Sequence, residues 1–445
     1  MLSLTNKSIL KVAAPIMIGT FVQNIVMITD AVLVEKLGTA SFNAANNAGL
    51  LYVVFFMLIK GFGDGTQIQI AKEYGLKQPA AINFSLNHAF VVQLFLAIIL
   101  TAFLYVSLPI FTNNFVKDES TGNAMKEFLH YRMWGLLFAS IQISAMAFFI
   151  GIGKTKIIML SSVLLAVLNI FLDVGLIYGY FGFPKMGVGG AGLASTISEA
   201  VTAIVLALLL IKSKFLKGFE YSWPKQFSKR KFQKLLKLSY PLMLSGFLSI
   251  ATWYVFFSLI EQRNAFDLEV SHVVRNLFFI AFIPIFGFAA TARTYVSYYY
   301  AKGDNQMTIL VIKKIIILSI AGFLLFFHGA LFYPKFLLGL ISSSPEVIDE
   351  GVNLLKMVFG SMLLFSIVSV LYQTVAAIGK TLQSLYIELA SIFIYLIFAY
   401  LLIIKWNVSI LAVWSVEFLY FGITGALSFI YLKYYQKKIK HSYES

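Results

Sequence analysis

Twelve apolar runs, each long enough to cross a bilayer, leave this chain few folds to choose from. An α-helix rises about 1.5 Å per residue, so roughly 20 residues span a ~30 Å hydrocarbon layer. Runs of that length fall near residues 12–34, 47–71, 85–111, 131–150, 157–180, 190–212, 239–260, 272–299, 309–332, 352–377, 383–404 and 409–433. They lack the period-two alternation of a membrane strand, which argues against a β-barrel. Only 12% of the 445 residues are charged, about half the ~25% of a soluble domain. The expected fold is an all-α integral membrane protein of twelve transmembrane helices.

The charges that remain orient it. With the N-terminus inside, 23 of the 35 basic residues fall on inner segments and span ends. The outer loops hold Lys36, Lys117, Lys126, Lys185, Arg263, Lys335 and Lys405. Positive charge favours the cytoplasmic side, so both termini are expected in the cytoplasm and the chain in the cell's inner membrane. The net charge of +15 is gathered in short clusters between apolar runs, a pattern that belongs to lipid headgroups and not to nucleic acid. The absence of cysteine excludes disulfides, thiolate metal sites and cysteine nucleophiles. The polar start from Met1 to Lys11 does not resemble a signal peptide, so the first run is read as a retained span.

The chain also repeats itself at an offset of 226 residues. Pro15 falls on Pro241, Gly61-Phe62-Gly63 on Gly287-Phe288-Ala289, and Ile152-Gly153-Lys154-Thr155 on Ile378-Gly379-Lys380-Thr381. Six spans per copy, an even number, make the repeats parallel. The expected organisation is an N-lobe at 1–212, a basic cytoplasmic linker at 213–238, and a C-lobe with a short basic tail at 239–445. Such repeats frame a central substrate path, and two fused lobes make a monomer sufficient.

Two motifs look like nucleotide sites and are not. Gly153-Lys154-Thr155 ends like a phosphate loop, but position 148 is Phe and no strand precedes it. Gly187 to Gly192 spells G-x-G-x-x-G between two membrane spans, where a tight turn followed by close helix packing explains it. The five histidines show no metal spacing. No catalytic constellation is visible and no cofactor is implied, so an enzyme is not expected.

Charged groups inside a membrane are costly and default to function. Asp30 lies on the first span and Asp173 on the fifth, both toward the outer side, with Asn169 one turn before Asp173 on the same face. Ser195 and Thr196 on the sixth span reach a similar depth. Two carboxylates, an amide and hydroxyls thus converge in the first lobe. Oxygen ligands of this kind suit Na⁺ at Asp30, Asn169 and Asp173, and paired carboxylates can share a proton; the competing reading is a buried network that locks helices. At the repeat offset Asp30 becomes Phe256, Asn169 becomes Tyr395 and Asp173 becomes Ala399. That asymmetry favours function. Asp64 follows Lys60 by one turn, which fits an ion pair or a gate. Glu199 is a further gating candidate, with a partnered carboxylate as the alternative. Arg275 and Arg293 satisfy carbonyls or pair with an acid, or else line the substrate path for an anionic group. Pro15 either kinks the first helix or opens it.

Taken with their order and spacing, these segments resemble the multidrug and toxic compound extrusion (MATE) family of the flippase-like superfamily. The likeness rests on Pro15 with Gln23 to Asp30, on Glu35-Lys36-Leu37-Gly38, on Leu168 to Asp173, and on Gly187 to Ser195. It implies two six-helix lobes and antiport of a cation, H⁺ or Na⁺, against small, cationic amphipathic molecules by alternating access. It assigns cation coupling to Asp30, Asn169 and Asp173, a ligand role to Ser195, and bending of the first helix to Pro15. The chain departs from some members in lacking an acid at 245–250 and at 365–377. The alternative within the same superfamily is a flippase for lipid-linked oligosaccharides or lipids.

Overall fold

A computed structural model describes residues 2–116, 118–212 and 228–444; most of the expected linker and Lys117 lie outside the described residues. The helices in chain order are α1 Asn6–Glu35, α2 Thr39–Gly75, α3 Pro79–Phe115, α4 Glu119–Arg132, α5 Gly135–Gly151, α6 Lys156–Tyr178 and α7 Gly187–Ile211. There follow α8 Lys229–Glu261, α9 Ala265–Ala301, α10 Asn305–Phe327, the short α11 Gly329–Phe332 and α12 Pro334–Gly339, α13 Pro345–Ala377, α14 Thr381–Tyr400, the short α15 Ile410–Trp414, and α16 Val416–Glu444. There is no strand among the described residues. Among the described residues eleven helices are long and apolar enough to cross a membrane, and the pair α4 and α5, bent by 46°, passes the same test as one span, for twelve in all.

Most of these helices overrun the apolar runs that announce them. The 37 residues of α2, α3 and α9 make about 55 Å of helix at 1.5 Å per residue, well beyond the hydrocarbon, so their polar ends leave the lipid. Span four departs most from expectation: the run at 131–150 captures α5 but not the polar α4 ahead of it. Pro15 lies inside α1, well past its first turn, so the reading in which it opens the helix does not hold.

The repeat is geometric as well as sequential. At the offset of 226, α2 maps onto α9 and the α4–α5 element onto α13, each with matching first and last residues. The chain turns through left-handed backbone at three equivalent pairs of positions: Lys77 and Gly303, Gly153 and Gly379, Phe181 and Asn407. Only glycine takes that conformation without strain, yet each copy keeps it, so the turns are fixed by the helices they join.

The chain forms two compact units, Ile18–Phe247 and Met1–Met17 with Leu248–Ser445. The boundary therefore crosses α1 just past Pro15 and crosses α8 a few residues past Pro241. In the first unit the N-terminal part of α8 packs on α2, where a Cβ on Gly61 would lie 2.5 Å from the Met243 backbone. In the second unit Leu2–Met17 pack on α9: Tyr299 donates to the Leu2 carbonyl at 2.7 Å, and a Cβ on Gly287 would overlap Met17. Gly61 with Met243 and Gly287 with Met17 are the same two repeat positions. The second unit has an aromatic core of Phe256, Phe278, Tyr395 and Trp414, with ring centroids 5.4–5.6 Å apart.

Candidate functional site

Asp30, near the C-terminal end of α1, and Asp173, near the C-terminal end of α6, lie close enough for their carboxyls to interact. Asp173 is fully buried and Asn169, one turn earlier, is 1% exposed. The Asn169 amide donates to Ser195 Oγ on α7 at 3.3 Å. What the cluster lacks is donors. Asp30 Oδ1, both carboxyl oxygens of Asp173 and Asn169 Oδ1 are buried without a protein donor. Buried acceptors are nearly always satisfied, and two facing carboxylates repel. A proton or a small cation between them removes both costs. The first-lobe set picked out from sequence is thus brought together: Asp30, Asn169, Asp173 and Ser195.

The other candidates go elsewhere. Asp64 takes an ion pair from Lys60 at 2.9 Å, the local pairing expected at i,i+4. Glu199 is held by Arg132 through two parallel bonds, Nη1 to Oε2 at 2.8 Å and Nη2 to Oε1 at 2.7 Å. Tyr52 on α2 donates to the same Oε2 at 3.1 Å, and its ring lies 3.6 Å from the Arg132 guanidinium carbon. Gln142 on α5 donates to the Glu199 carbonyl at 2.7 Å. Arg275 and Arg293, both on α9, belong to the other unit. Arg275 stacks over Phe257 at 4.6 Å, and Arg293 donates to Gln373 at 3.2 Å. Glu388 and Glu417, also there, accept from hydroxyls: Ser249 and Tyr420 reach Glu388 at 2.7 Å, and Tyr395 reaches Glu417 at 3.0 Å.

Arg132 and Tyr52 escaped the sequence reading. Arg132 was visible as a charge within a span, but its partner is 67 residues away on another helix, and no local spacing links them. The pairing of one intramembrane arginine with one intramembrane glutamate was the available signal.

A family model, MatE, matches residues 15–174 and 241–401, one match on each copy of the repeat. The chain belongs to the MatE family. This MatE protein is 26% identical over 397 residues to a probable multidrug resistance protein, NorM, of Thermotoga maritima, covering 87% of this chain and 83% of that one. It is 23% identical over 444 residues to the probable multidrug resistance protein YoeA of Bacillus subtilis, covering 95% and 92%. Among solved structures it is similar to a MOP superfamily transporter from Pyrococcus furiosus, with a TM-score of 0.89, 20% identity, and coverage of 97% and 96%. An outward-facing multidrug resistance MATE transporter matches with a TM-score of 0.87, 20% identity and the same coverage. As a MatE member the chain is a multi-pass membrane transporter of the multidrug-extrusion kind; the flippase alternative is not favoured.

Proposed function

We propose that this MatE transporter exports small organic molecules in exchange for protons, and that the proton is carried by Asp30 and Asp173 with Asn169 and Ser195 completing the pocket. The observation that carries the reading is the imbalance of the cluster: four buried acceptor oxygens and no protein donor to serve them. One proton between the carboxyls supplies the donor and removes their repulsion. A cationic amphipathic substrate fits the same logic, since a deprotonated carboxylate holds a cation and a protonated one releases it. That mutual exclusion is what antiport requires.

The two six-helix lobes, 1–212 and 239–445 joined through 213–238, are proposed to alternate the access of this pocket, with α1 bending at Pro15. The distribution of basic residues supports cytoplasmic termini in an inner membrane, and the two fused lobes support a working monomer. The exchange needs no covalent step, which supports a transporter that is not an enzyme.

The test is uptake of a fluorescent organic cation into everted vesicles under an imposed pH gradient. Asp30→Asn should lower the gradient-driven rate on the order of 100-fold, the upper range of a coupling free energy, with expression unchanged. A wild-type rate that follows Na⁺ and ignores pH would replace the proton with sodium, and indifference to both gradients would remove the antiport reading.

A further inference from the structure

At one end of the first unit, charges of opposite sign line a single recess without pairing. The end of α2 and the starts of α3 and α8 surround a cavity of about 260 Å³. Glu73 of α2 lines it and is only 6% exposed. Its Oε1 accepts from Gln69 Nε2 at 2.6 Å and from Ser85 Oγ at 2.7 Å, while its Oε2 is buried without a donor. Lys72, Lys231 and Lys234 line the same recess. None of the three forms an ion pair among the described residues, and Lys231 Nζ rests over the Phe84 ring at 4.0 Å. One wall thus lacks a donor, and the rest of the rim lacks an anion.

The second unit fills the equivalent place with protein. At the offset of 226, Gln69, Lys72 and Glu73 become Tyr295, Tyr298 and Tyr299, and His88 becomes Lys314. Tyr299 donates to the Leu2 carbonyl at 2.7 Å, Tyr295 and Ser8 share a hydrogen bond of 3.0 Å, and Lys314 donates to the Leu4 carbonyl at 2.9 Å. These side chains end on the first residues of the chain. In the first unit the equivalents of Leu2 and Ser8 are Ser228 and Lys234. The Ser228 N–H donates to His88 Nε2 at 3.3 Å, but Lys234 lines the recess where Ser8 meets a tyrosine. The helices pack without these charges, so the charges belong to one copy and not to the fold.

We propose that this recess binds a phosphate ester carrying a primary ammonium, the chemistry of a phosphoethanolamine headgroup. The three lysines hold the phosphate, and Glu73 accepts from the ammonium. A purely anionic group would meet the Glu73 carboxylate, and a purely cationic one would meet three ammonium groups. A zwitterion satisfies both, through bonds that are charge-assisted at each end. The depth fits a lipid source: Lys72 lies just past the apolar run at 47–71, where α2 leaves the hydrocarbon, and basic pockets at that level recruit lipid headgroups. Leu76, Ala81 and Leu235 give the recess an apolar wall beside its charges. The site is separate from the carboxyl cluster, and the inference stands whichever ion drives export.

The experiment is lipid occupancy of the purified full-length transporter, read by native mass spectrometry during titration with phosphatidylethanolamine, phosphatidylcholine or phosphatidylglycerol. The choline lipid keeps the positive charge but has no N–H, and the glycerol lipid keeps the phosphate without a cation. Each should bind more weakly than the ethanolamine lipid by on the order of 10-fold, the worth of one hydrogen bond to a charged group. Glu73→Gln should remove the preference over the choline lipid and leave the glycerol lipid bound as well or better. Lys231→Gln combined with Lys234→Gln should weaken all three. Both lysines are exposed, so that double variant should fold, and it decides the matter if Glu73→Gln does not. Equal binding of the three lipids, tightest binding of the glycerol lipid, a preference that survives Glu73→Gln, or lysine substitutions without effect would each overturn the proposal. Free phosphoethanolamine, added to lipid-free protein, separates the two sources. Saturable binding that Glu73→Gln abolishes shows that the ester suffices, and binding of the lipid alone shows that the headgroup must arrive on its glycerol. Binding of neither overturns the proposal.

Discussion

The two copies of the repeat solve one packing problem with different chemistry. Where the first copy places Asp30, Asn169, Asp173, Arg132, Glu199 and Tyr52, the second places Phe256, Tyr395, Ala399, Val358, Gly425 and Phe278. The second set joins an aromatic core in which Phe256 lies 5.6 Å from Tyr395 and 5.4 Å from Trp414, centroid to centroid. The ends of α2 and α9, the outer bounds of α4–α5 and α13, and the left-handed turns nevertheless coincide. Apolar contact is therefore enough to hold this arrangement of helices, and the polar set in the first copy costs desolvation that the fold does not need. A feature that is costly and structurally dispensable is the kind expected to be kept for function.

The sharpest way to break the comparison is to give one copy the residue of the other. Asp173→Ala, the residue found at 399, should fold and insert like wild type and lose gradient-driven export on the order of 100-fold. The reverse change, Ala399→Asp, should fail differently. It buries a carboxyl in an apolar core with no donor provided, at a cost of several kcal/mol, so its thermal midpoint should fall while the protein that remains folded keeps its export rate. Equal losses of stability in both variants would mean that Asp173 is a packing residue after all.

The next contrast concerns the broken crossing. Gly135→Ala forces a methyl into Arg132 and Glu199, an overpacking that should cost about 1–3 kcal/mol and be read as a lowered thermal midpoint. Its counterpart Ser361 already carries a side chain and donates to the Val358 carbonyl at 3.0 Å. Ser361→Ala should cost about 1 kcal/mol or less, the net worth of a hydrogen bond. A harmless Gly135→Ala would show that the charged pair can relax around the added methyl.

Much of this molecule was legible in its sequence, and the failures have physical causes. The twelve crossings and the repeat were readable because hydrophobic length and the Gly153–Gly379 correspondence survive in residue identity. The repeated turns at Lys77 and Phe181 were not, because the backbone there matches Gly303 and Asn407 while the residue types do not. Helix α4 was missed because its polar sequence falls below any hydropathy threshold, although Asp118 ahead of it is an ordinary cap signal. The carboxyl cluster could be assembled from depth along three helices, since depth is a one-dimensional quantity. Arg132 with Glu199 needed the rotation of helices about their axes, which length and hydropathy do not encode.

The helix crossings give a smaller contrast inside an otherwise matched pair. A Cβ on Gly61 meets the backbone of Met243, whereas one on Gly287 meets the side chain of Met17. Backbone cannot step aside and an unbranched methionine can. Gly61→Ala should therefore lower the thermal midpoint more than Gly287→Ala, by a difference of about 1 kcal/mol. An equal response would mean that the two crossings have the same freedom despite their different contacts.

The smallest expected effect lies at another matched pair, the residues that cap α4 and α13. Asp118 and Ser344 are repeat equivalents, and each accepts a backbone N–H three residues on, from Thr121 at 2.9 Å and from Val347 at 3.4 Å. Both first turns also carry a glutamate, Glu119 and Glu346, so an acid in the first turn is common to the two helices. The difference is that the α4 cap can be protonated. Bonds from the Thr121 hydroxyl and amide hold the exposed Asp118 carboxyl below its ordinary value of 3.8. For an acid lowered in the folded state, the stabilisation is complete above the unfolded value and is lost as pH falls through the folded one. Acidification below about pH 4 should therefore speed amide exchange in the first turn of α4, after correction for intrinsic rates, more than in the first turn of α13. Asp118→Ser, which copies the other cap, should abolish the difference; a difference that survives the substitution would assign the acid sensitivity of α4 to something other than its cap.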